Sequence, residues 1–389
     1  MRTKVAIIGS GPAGLMLGQR LQMAGIDNVI IEARSRDHVL SRIRAGVLEE
    51  GTAAFVDALG VGGRMRTEGL VHDGFNLCID GHQCRIALRH LTGKSVLVYG
   101  QTELTRDLMD ARARSGAPTV FEAGDVAIGG HDGDSPHVSW TMDGERHELR
   151  CDFIAGCDGF HGVCRASVEA SRVATFAKEY PFGWLGVLAD VPPVAAELIY
   201  VGHNRGFALC SMRSPTRSRY YLQCAHDEDA DAWSDEAFWD ELRARLDPHI
   251  AAGLITGPSI EKSVAPLRSF VTEPMRFGRL FLAGDAAHIV PPAGAKGLNL
   301  AASDVCYLSD ALIDHFQSGS DSGLDAYSRR ALERIWKAER FSWWMTMLLH
   351  RLPGHSPFDE RMQSAEAAYL LNSEAAQTAL AENYVGLPI

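Results

Sequence analysis

The feature that most constrains this chain's fold is its opening. An apolar run over residues 4–9 stops at Gly9-Ser10-Gly11-Pro12-Ala13-Gly14, an apolar-spaced segment covers 12–24, and a second apolar run covers 28–32. Strand, glycine turn, helix and strand make a β-α-β unit, whose parallel strands need helices on both faces. Gly9 permits the tight turn, Gly11 lets the backbone approach a pyrophosphate, and Gly14 lets helix and strand pack closely. The phosphate then sits on the helix N-terminus. Glu32 closes the second strand, where a carboxylate accepts hydrogen bonds from an adenosine ribose and repels a 2′-phosphate. The pocket therefore suits FAD or NAD.

A second anion-ready turn lies far along the chain, in RLFLAGDAAHIVPPAGAKGLNLAASD, residues 279–304. A strand ends at Gly284-Asp285, and a Pro/Gly loop opens a helix. Asp285 suits a ribityl hydroxyl, and the N–H groups around Gly297, Leu298 and Asn299 suit a ring that becomes anionic on reduction. NAD has neither group, so the pair of turns favours FAD. A third turn, Cys157-Asp158-Gly159, closes a strand ahead of His161 and Arg165.

Composition narrows the partners. A net charge of −11 without a long basic run argues against nucleic acid or an anionic membrane. No apolar run reaches the length of a membrane span and no signal-peptide core opens the chain, so a cytoplasmic location is expected. The cysteines form no CxxC and the histidines no HExxH, which predicts reduced thiols and no protein-built metal site.

Without repeats or a flexible linker, the domains should interleave. Helices are expected over 101–114, 235–246, from 297 onward and over 327–349; a hairpin is expected over 137–150 around Asp143-Gly144. Residues 180–224 are strand-rich, with a hairpin at His203-Asn204-Arg205-Gly206. The resulting class is α/β: a Rossmann-like FAD-binding domain (1–70, 98–179 and 268–349), an interleaved β-sheet substrate domain (71–97 and 180–267) and a C-terminal helical segment (350–389). Trp336, Trp343 and Trp344 read as core packing or a subunit surface, core being favoured.

In this order, the glycine fingerprint, Asp158-Gly159 and Gly284-Asp285 resemble the signature of class A flavoprotein monooxygenases. Within that family the likeness narrows to the branch acting on 4-hydroxybenzoate, through residues 42–49 (RIRAGVLE), 99–103 (YGQTE), 180–186 (YPFGWLG), 334–346 (RIWKAERFSWWMT) and 381–388 (AENYVGLP), and it spans essentially the whole chain. The resemblance implies that NAD(P)H reduces FAD, that oxygen adds at flavin C4a, and that the phenolate takes the distal oxygen ortho to its hydroxyl. It implies FAD contacts from Arg44, Gln101 and Asp285, with Arg42 near the FAD and nucleotide phosphates and Asn299 and Arg219 helping to position the flavin.

A phenolic benzoate needs a cation for its carboxylate and a proton acceptor for its phenol. Arg213 can pair bidentately with a carboxylate, and Ser211 and Tyr221 can add hydrogen bonds. The resemblance gives these three the carboxylate, Tyr200 the phenol, Tyr384 the next proton step and His72 the relay to solvent. Pro292 and Ala293 shape the ring pocket; relatives carry threonine at Ala293, and the lost volume suggests turnover of 3,4-dihydroxybenzoate to gallate. His161 and Arg268 match nucleotide-binding positions. The nucleotide-facing segment that includes Arg34 and His38 departs from NADPH-specific members, which carry arginine at Ala33 and tyrosine at His38; Arg34 and Arg36 could still meet a 2′-phosphate or form a solvated helix face, leaving NADH and NADPH both open. The family suggests a homodimer. A flavin-binding protein without turnover would not need Tyr200, Arg213 and Tyr384 together, and a NAD dehydrogenase would not need Asp285.

Overall fold

The opening β-α-β unit forms as its glycine spacing requires. In the computed structural model, which describes residues 1–41 and 46–388, Val5–Ile8 and Asn28–Ile31 pair in parallel and Pro12–Met23 is the helix between them. Gly9 has φ +99°, and a Cβ there would stand 2.4 Å from the Cys157 carbonyl oxygen; one on Gly14 would stand 2.0 Å from the Gly9 carbonyl oxygen. Neither position has room for a side chain.

These strands lie in a six-stranded sheet ordered Arg276–Phe277, Leu280–Leu282, Phe153–Gly156, Val5–Ile8, Asn28–Ile31 and Thr119–Val120. All neighbours are parallel except the first two. Every residue of Val5–Ile8 is buried, the mark of a strand covered on both faces.

An eight-stranded sheet carries the rest of the site. Its order is His288–Ile289, Ser259–Glu273, Ala174–Ala189, Arg217–Cys224, Ala208–Ser214, Ile199–Gly202, Phe75–Ile79 and His82–Ile86. Only the Ile199–Gly202/Phe75–Ile79 pair is parallel. Period-two alternation splits its side chains between two cores. Phe182, Trp184, Tyr200 and Leu209 join Phe341 and Tyr384, whereas Leu185, Val187, Ile199, Val201 and Cys210 join Phe238 and Trp239.

Local expectations largely hold, with informative differences. Asp143 and Gly144 form the hairpin turn with φ of 53° and 79°, and His203–Gly206 connects an antiparallel pair. The strand expected from residue 180 begins at Ala174, because its pairing with Ser259–Glu273 continues through a stretch whose side chains are exposed. The long C-terminal helix starts at Ser322. Trp336 and Trp343 do not join the core: they are 39% and 42% exposed, because the buried stripe of that helix runs through Ile335, Glu339, Ser342 and Thr346. Ser356 caps Pro357–Asn372 with a capping box, and the following helix, Glu374–Val385, brings Tyr384 against the sheet. The eight cysteines are free. Among the described residues no helix is long and apolar enough to cross a membrane, and no group of His, Cys, Asp or Glu is placed to hold a metal ion.

Candidate active site

Three neighbouring parallel strands, Val5–Ile8, Phe153–Gly156 and Leu280–Leu282, deliver the three turns to one sheet edge. Gly9–Gly14, Asp158 and Asp285 all follow C-terminal strand ends, where open α/β sheets bind ligands. A Cβ on Gly11 would meet nothing within 4 Å, in contrast to Gly9 and Gly14, so this glycine faces open space. Glu32 Oε2 accepts from the Ser10 N–H at 2.7 Å and Ser10 Oγ at 3.0 Å, and Oε1 from the Arg34 N–H at 2.8 Å. Lone pairs remain for ribose hydroxyls. Asp158 Oδ2 accepts from the Cys164 N–H at 2.8 Å while Oδ1 is buried without a partner, and burial raises that carboxyl's pKa. Open space at the glycine, an acid on the second strand and a buried orphan oxygen fit a dinucleotide such as FAD.

The flanking loops are tied together below these turns. Gln101 opens the helix Gln101–Ser115, and Leu298 and Asn299 lie in the first turn of Gly297–Ser318. The Asn299 amide is fully engaged: Oδ1 accepts from the Glu49 N–H at 2.9 Å, and Nδ2 donates to the Val47 and Ala295 carbonyls. Buried Asp304 takes the Gly284 N–H at 2.9 Å and His288 Nε2 at 2.6 Å on one oxygen, pinning the base of the Gly284-Asp285 turn. Burial opposes the imidazolium, but Asp304 outweighs it and the His288 pKa is raised. Arg42 and Arg44 lie outside the described residues.

Sheet register gathers the residues expected to meet an aromatic acid. Tyr200 stands opposite Leu209, Leu209 opposite Tyr221, and Tyr221 opposite Gly186; Ser211 stands opposite Arg219. Facing residues share a sheet face, so these line one surface. Gly186 is required there, since a Cβ would stand 2.8 Å from Arg219 Nη2 and 2.9 Å from the Tyr221 ring. Arg213 sits where the register breaks between Met212 and Ser214, a bulge that re-aims a side chain.

The two arginines on this surface differ. Arg219 is buried and paired with Glu261 at 2.6 Å and Ser263 at 3.1 Å. Arg213 donates to the Met212 carbonyl at 3.0 Å and to Tyr221 Oη at 3.4 Å, and its buried Nε has no partner. Burial lowers its pKa. Ser211 Oγ donates to the Arg219 carbonyl at 2.6 Å. Thus Arg213 is a half-buried cation with no carboxylate in contact among the described residues.

Opposite charge chemistry gathers at Tyr200. Its hydroxyl lies 2.9 Å from Tyr384 Oη, both rings are 2% exposed, and Phe75 packs against both. Burial pushes the Tyr200 pKa up to about 12 and holds that of Tyr384 well above the ordinary phenol value. His72 is not hydrogen-bonded to either tyrosine; its two ring nitrogens are buried without partners, and burial lowers its pKa. Ala293 is fully buried in the same core as the two tyrosines, whereas Pro292 is exposed.

A buried ion triad, not singled out in the sequence, flanks the tyrosines. Lys296 Nζ donates to Glu49 Oε1 at 2.6 Å and to the Tyr384 carbonyl at 2.9 Å, and Arg334 donates to Glu49 Oε2 at 2.8 Å. Burial lowers the Lys296 pKa against the pull of Glu49. Two cations face one carboxylate. Only Lys296 left a signal, a lone charge inside the small and apolar stretch AGAKGLN; Glu49 stands beside Glu50 and Arg334 beside Glu333, as in any solvated run.

Elsewhere, Arg268 lies over the Phe160 ring at 4.9 Å, Arg165 over Phe160 and Phe270 at 4.8 and 4.6 Å, and His161 meets Phe160 edge-on. His161, Arg34 and His38 are exposed, and Arg36 pairs with Asp110 at 2.7 Å.

Comparison with known proteins accords with this geometry. The FAD binding domain family matches residues 2–342. A p-hydroxybenzoate hydroxylase of Acinetobacter baylyi is 61% identical over all of this chain and 96% of its own length. A 3-(3-hydroxy-phenyl)propionate/3-hydroxycinnamic acid hydroxylase of Burkholderia vietnamiensis is 24% identical over 78% of this chain and 55% of its own. In fold, p-nitrophenol 4-monooxygenase from Pseudomonas putida superposes with a TM-score of 0.81 at 17% identity, covering 100% of both chains. By the full-length match and the family match together, the chain belongs to the p-hydroxybenzoate hydroxylase family of FAD-binding monooxygenases.

Proposed function

We propose that the protein hydroxylates 4-hydroxybenzoate ortho to its phenol, giving 3,4-dihydroxybenzoate, with FAD as cofactor and O2 and NADH or NADPH as co-substrates. One observation carries the reading: one sheet face presents Arg213, which has no carboxylate partner among the described residues, and buried Tyr200, whose hydroxyl meets that of Tyr384 on the C-terminal helix. Those are the two unlike contacts a phenolic carboxylate needs.

Arg213 anchors the carboxylate, and Tyr221, whose oxygen accepts from Arg213, keeps its own proton to donate. Ser211 joins them by rotating its hydroxyl away from the Arg219 carbonyl. At the other end Tyr200 takes the phenol proton while passing its own to Tyr384, which releases its own proton in turn, so neither tyrosine has to ionise. His72, neutral and buried, is the next acceptor toward solvent. The excess positive charge of Lys296, Glu49 and Arg334 beside Tyr384 favours the phenolate. Lowering a phenol pKa by two units takes about 2.7 kcal/mol.

Gly9, Gly11, Gly14, Glu32, Gln101, Asp158 and Asp285 would hold FAD, which when bound would supply electron transfer from the nicotinamide nucleotide and activation of O2. The surface around Phe160, His161 and Arg268 supports docking of that nucleotide, with Arg34 and His38 at its adenosine end. We assign 1–70, 98–179 and 268–349 to FAD binding and 71–97 and 180–267 to the substrate. Exposed Phe358, Met362 and Tyr369 on one helix support a homodimer, and the free thiols support a cytoplasmic location.

The test is oxygen-dependent oxidation of NADH and of NADPH by purified protein, with and without 4-hydroxybenzoate, with products separated by chromatography. Strong stimulation with 3,4-dihydroxybenzoate formed is expected; no stimulation by 4-hydroxybenzoate overturns the substrate. The small, buried Ala293, in the same core as the tyrosine pair, supports a second turnover, of 3,4-dihydroxybenzoate to gallate. Wild type should form gallate and Ala293→Thr should form less, and absence of gallate from both rejects it.

A further inference from the structure

His350 caps the helix Ser322–Leu349, and its Nδ1 lies 2.9 Å from the Thr346 carbonyl oxygen. A carbonyl only accepts, so Nδ1 carries the ring proton and Nε2 presents a lone pair. That lone pair takes the Trp184 indole N–H at 2.7 Å. The imidazole is 0% exposed and stacks on Phe182 at 4.7 Å and on Phe207 at 4.3 Å. Burial drives its pKa down to about 3, so the accepting, neutral form persists at any working pH.

The bond points into the substrate surface. Trp184 leans on Tyr221 with ring centroids 5.2 Å apart, and Tyr221 Oη receives Arg213 Nη2. The segment is fastened to the same sheet a second time, since Gln223 Oε1 accepts from the backbone N–H of both Arg351 and Phe207 at 3.0 Å. A buried indole N–H left without an acceptor is costly, so the imidazole fixes which way the indole lies.

From this chain of contacts we infer that His350 is a positioning residue for the substrate carboxylate: its Nε2 sets the Trp184 indole, which sets Tyr221 and through it the guanidinium of Arg213. The inference deepens the proposed function and rests on Arg213 being the carboxylate anchor.

The test titrates FAD-loaded protein with 4-hydroxybenzoate and with 4-hydroxybenzamide, which keeps the ring and phenol but has no carboxylate, following flavin absorbance. His350→Leu should raise the Kd of the acid about tenfold, the effect of one lost buried hydrogen bond, and leave that of the amide within about twofold. His350→Gln, which restores an acceptor, should recover most of the loss. With Trp184→Phe already present, His350→Leu should add little, because the donor is gone. Equal weakening of acid and amide, or none of the acid, overturns the inference. Should His350→Leu fail to fold with FAD, Trp184→Phe alone carries the same comparison. Arg213→Ala in the same assay separates the two levels. If it loses the acid while His350→Leu does not, only the positioning role falls; if it too binds the acid normally, the anchor falls and the inference with it.

Discussion

Tyr200 and Tyr384 meet hydroxyl to hydroxyl at 2.9 Å, one from a central sheet strand and the other from the C-terminal helix. Two phenols so deeply buried hold a proton between them without ionising, because burial raises both pKa values. On the proposed function, Tyr384→Phe breaks the path while leaving Tyr200 free to meet the phenol. Hydroxylation in a rapid-mixing single turnover should slow by about 100-fold, the usual scale for a positioned acid–base group. The Kd of 4-hydroxybenzoate should move far less. An unchanged rate would mean that the proton leaves by another route.

Gly11 and Gly14 should respond oppositely to the same substitution. A Cβ on Gly14 would stand 2.0 Å from the Gly9 carbonyl oxygen, so Gly14→Ala must push helix and strand apart. Overpacking of that kind costs about 1–3 kcal/mol, visible as a lower melting temperature of the apoprotein. On Gly11 the Cβ meets nothing within 4 Å, so Gly11→Ala should leave apoprotein melting unchanged yet lower the FAD retained on purification, read from the 450 to 280 nm absorbance ratio. Full FAD occupancy in Gly11→Ala would show that the open space is not where the cofactor approaches.

Arg213→Lys keeps the charge but loses the planar fork. An ammonium cannot pair bidentately with a carboxylate and hold Tyr221 at once, so binding of 4-hydroxybenzoate should weaken by about 1.5 kcal/mol, roughly tenfold. Binding of 4-hydroxybenzamide should barely change. Equal losses for acid and amide would place the carboxylate elsewhere.

The cofactor half of the site was open to sequence reasoning because its chemistry is local. Gly9, Gly11, Gly14 and Glu32 lie in one short unit, and the backbone rules that demand glycine act over a few residues. Sheet register was not local. Nothing in the sequence says that Gly186 must stay bare beneath Arg219 and Tyr221, or that Gln223 reaches the loop after a helix more than a hundred residues later. Charges buried by tertiary packing were equally hidden: Lys296 is an ordinary loop lysine until Glu49 and Arg334 close around it. Trp344 packs against the core as expected, whereas Trp336 and Trp343 face outward, since apolar character alone does not tell which face of a long helix is covered.

Glu339 gives a pH dependence whose sign can be worked out. It is 6% exposed, neither carboxylate oxygen has a hydrogen-bond partner, and burial raises its pKa from 4.5 to about 7, opposed weakly by Ser269 and His288. Between those two values the folded protein holds a proton that the unfolded chain has released, so stability falls as pH rises through the window. The full contribution is at most about 3 kcal/mol. Glu339→Gln fills the same volume and cannot ionise. Its melting temperature should therefore exceed that of wild type by a few degrees at pH 8, and the two should converge at pH 5. Parallel melting curves across that range would show that Glu339 stays ionised, and that a bound water or a rearranged Ser269 hydroxyl compensates its charge.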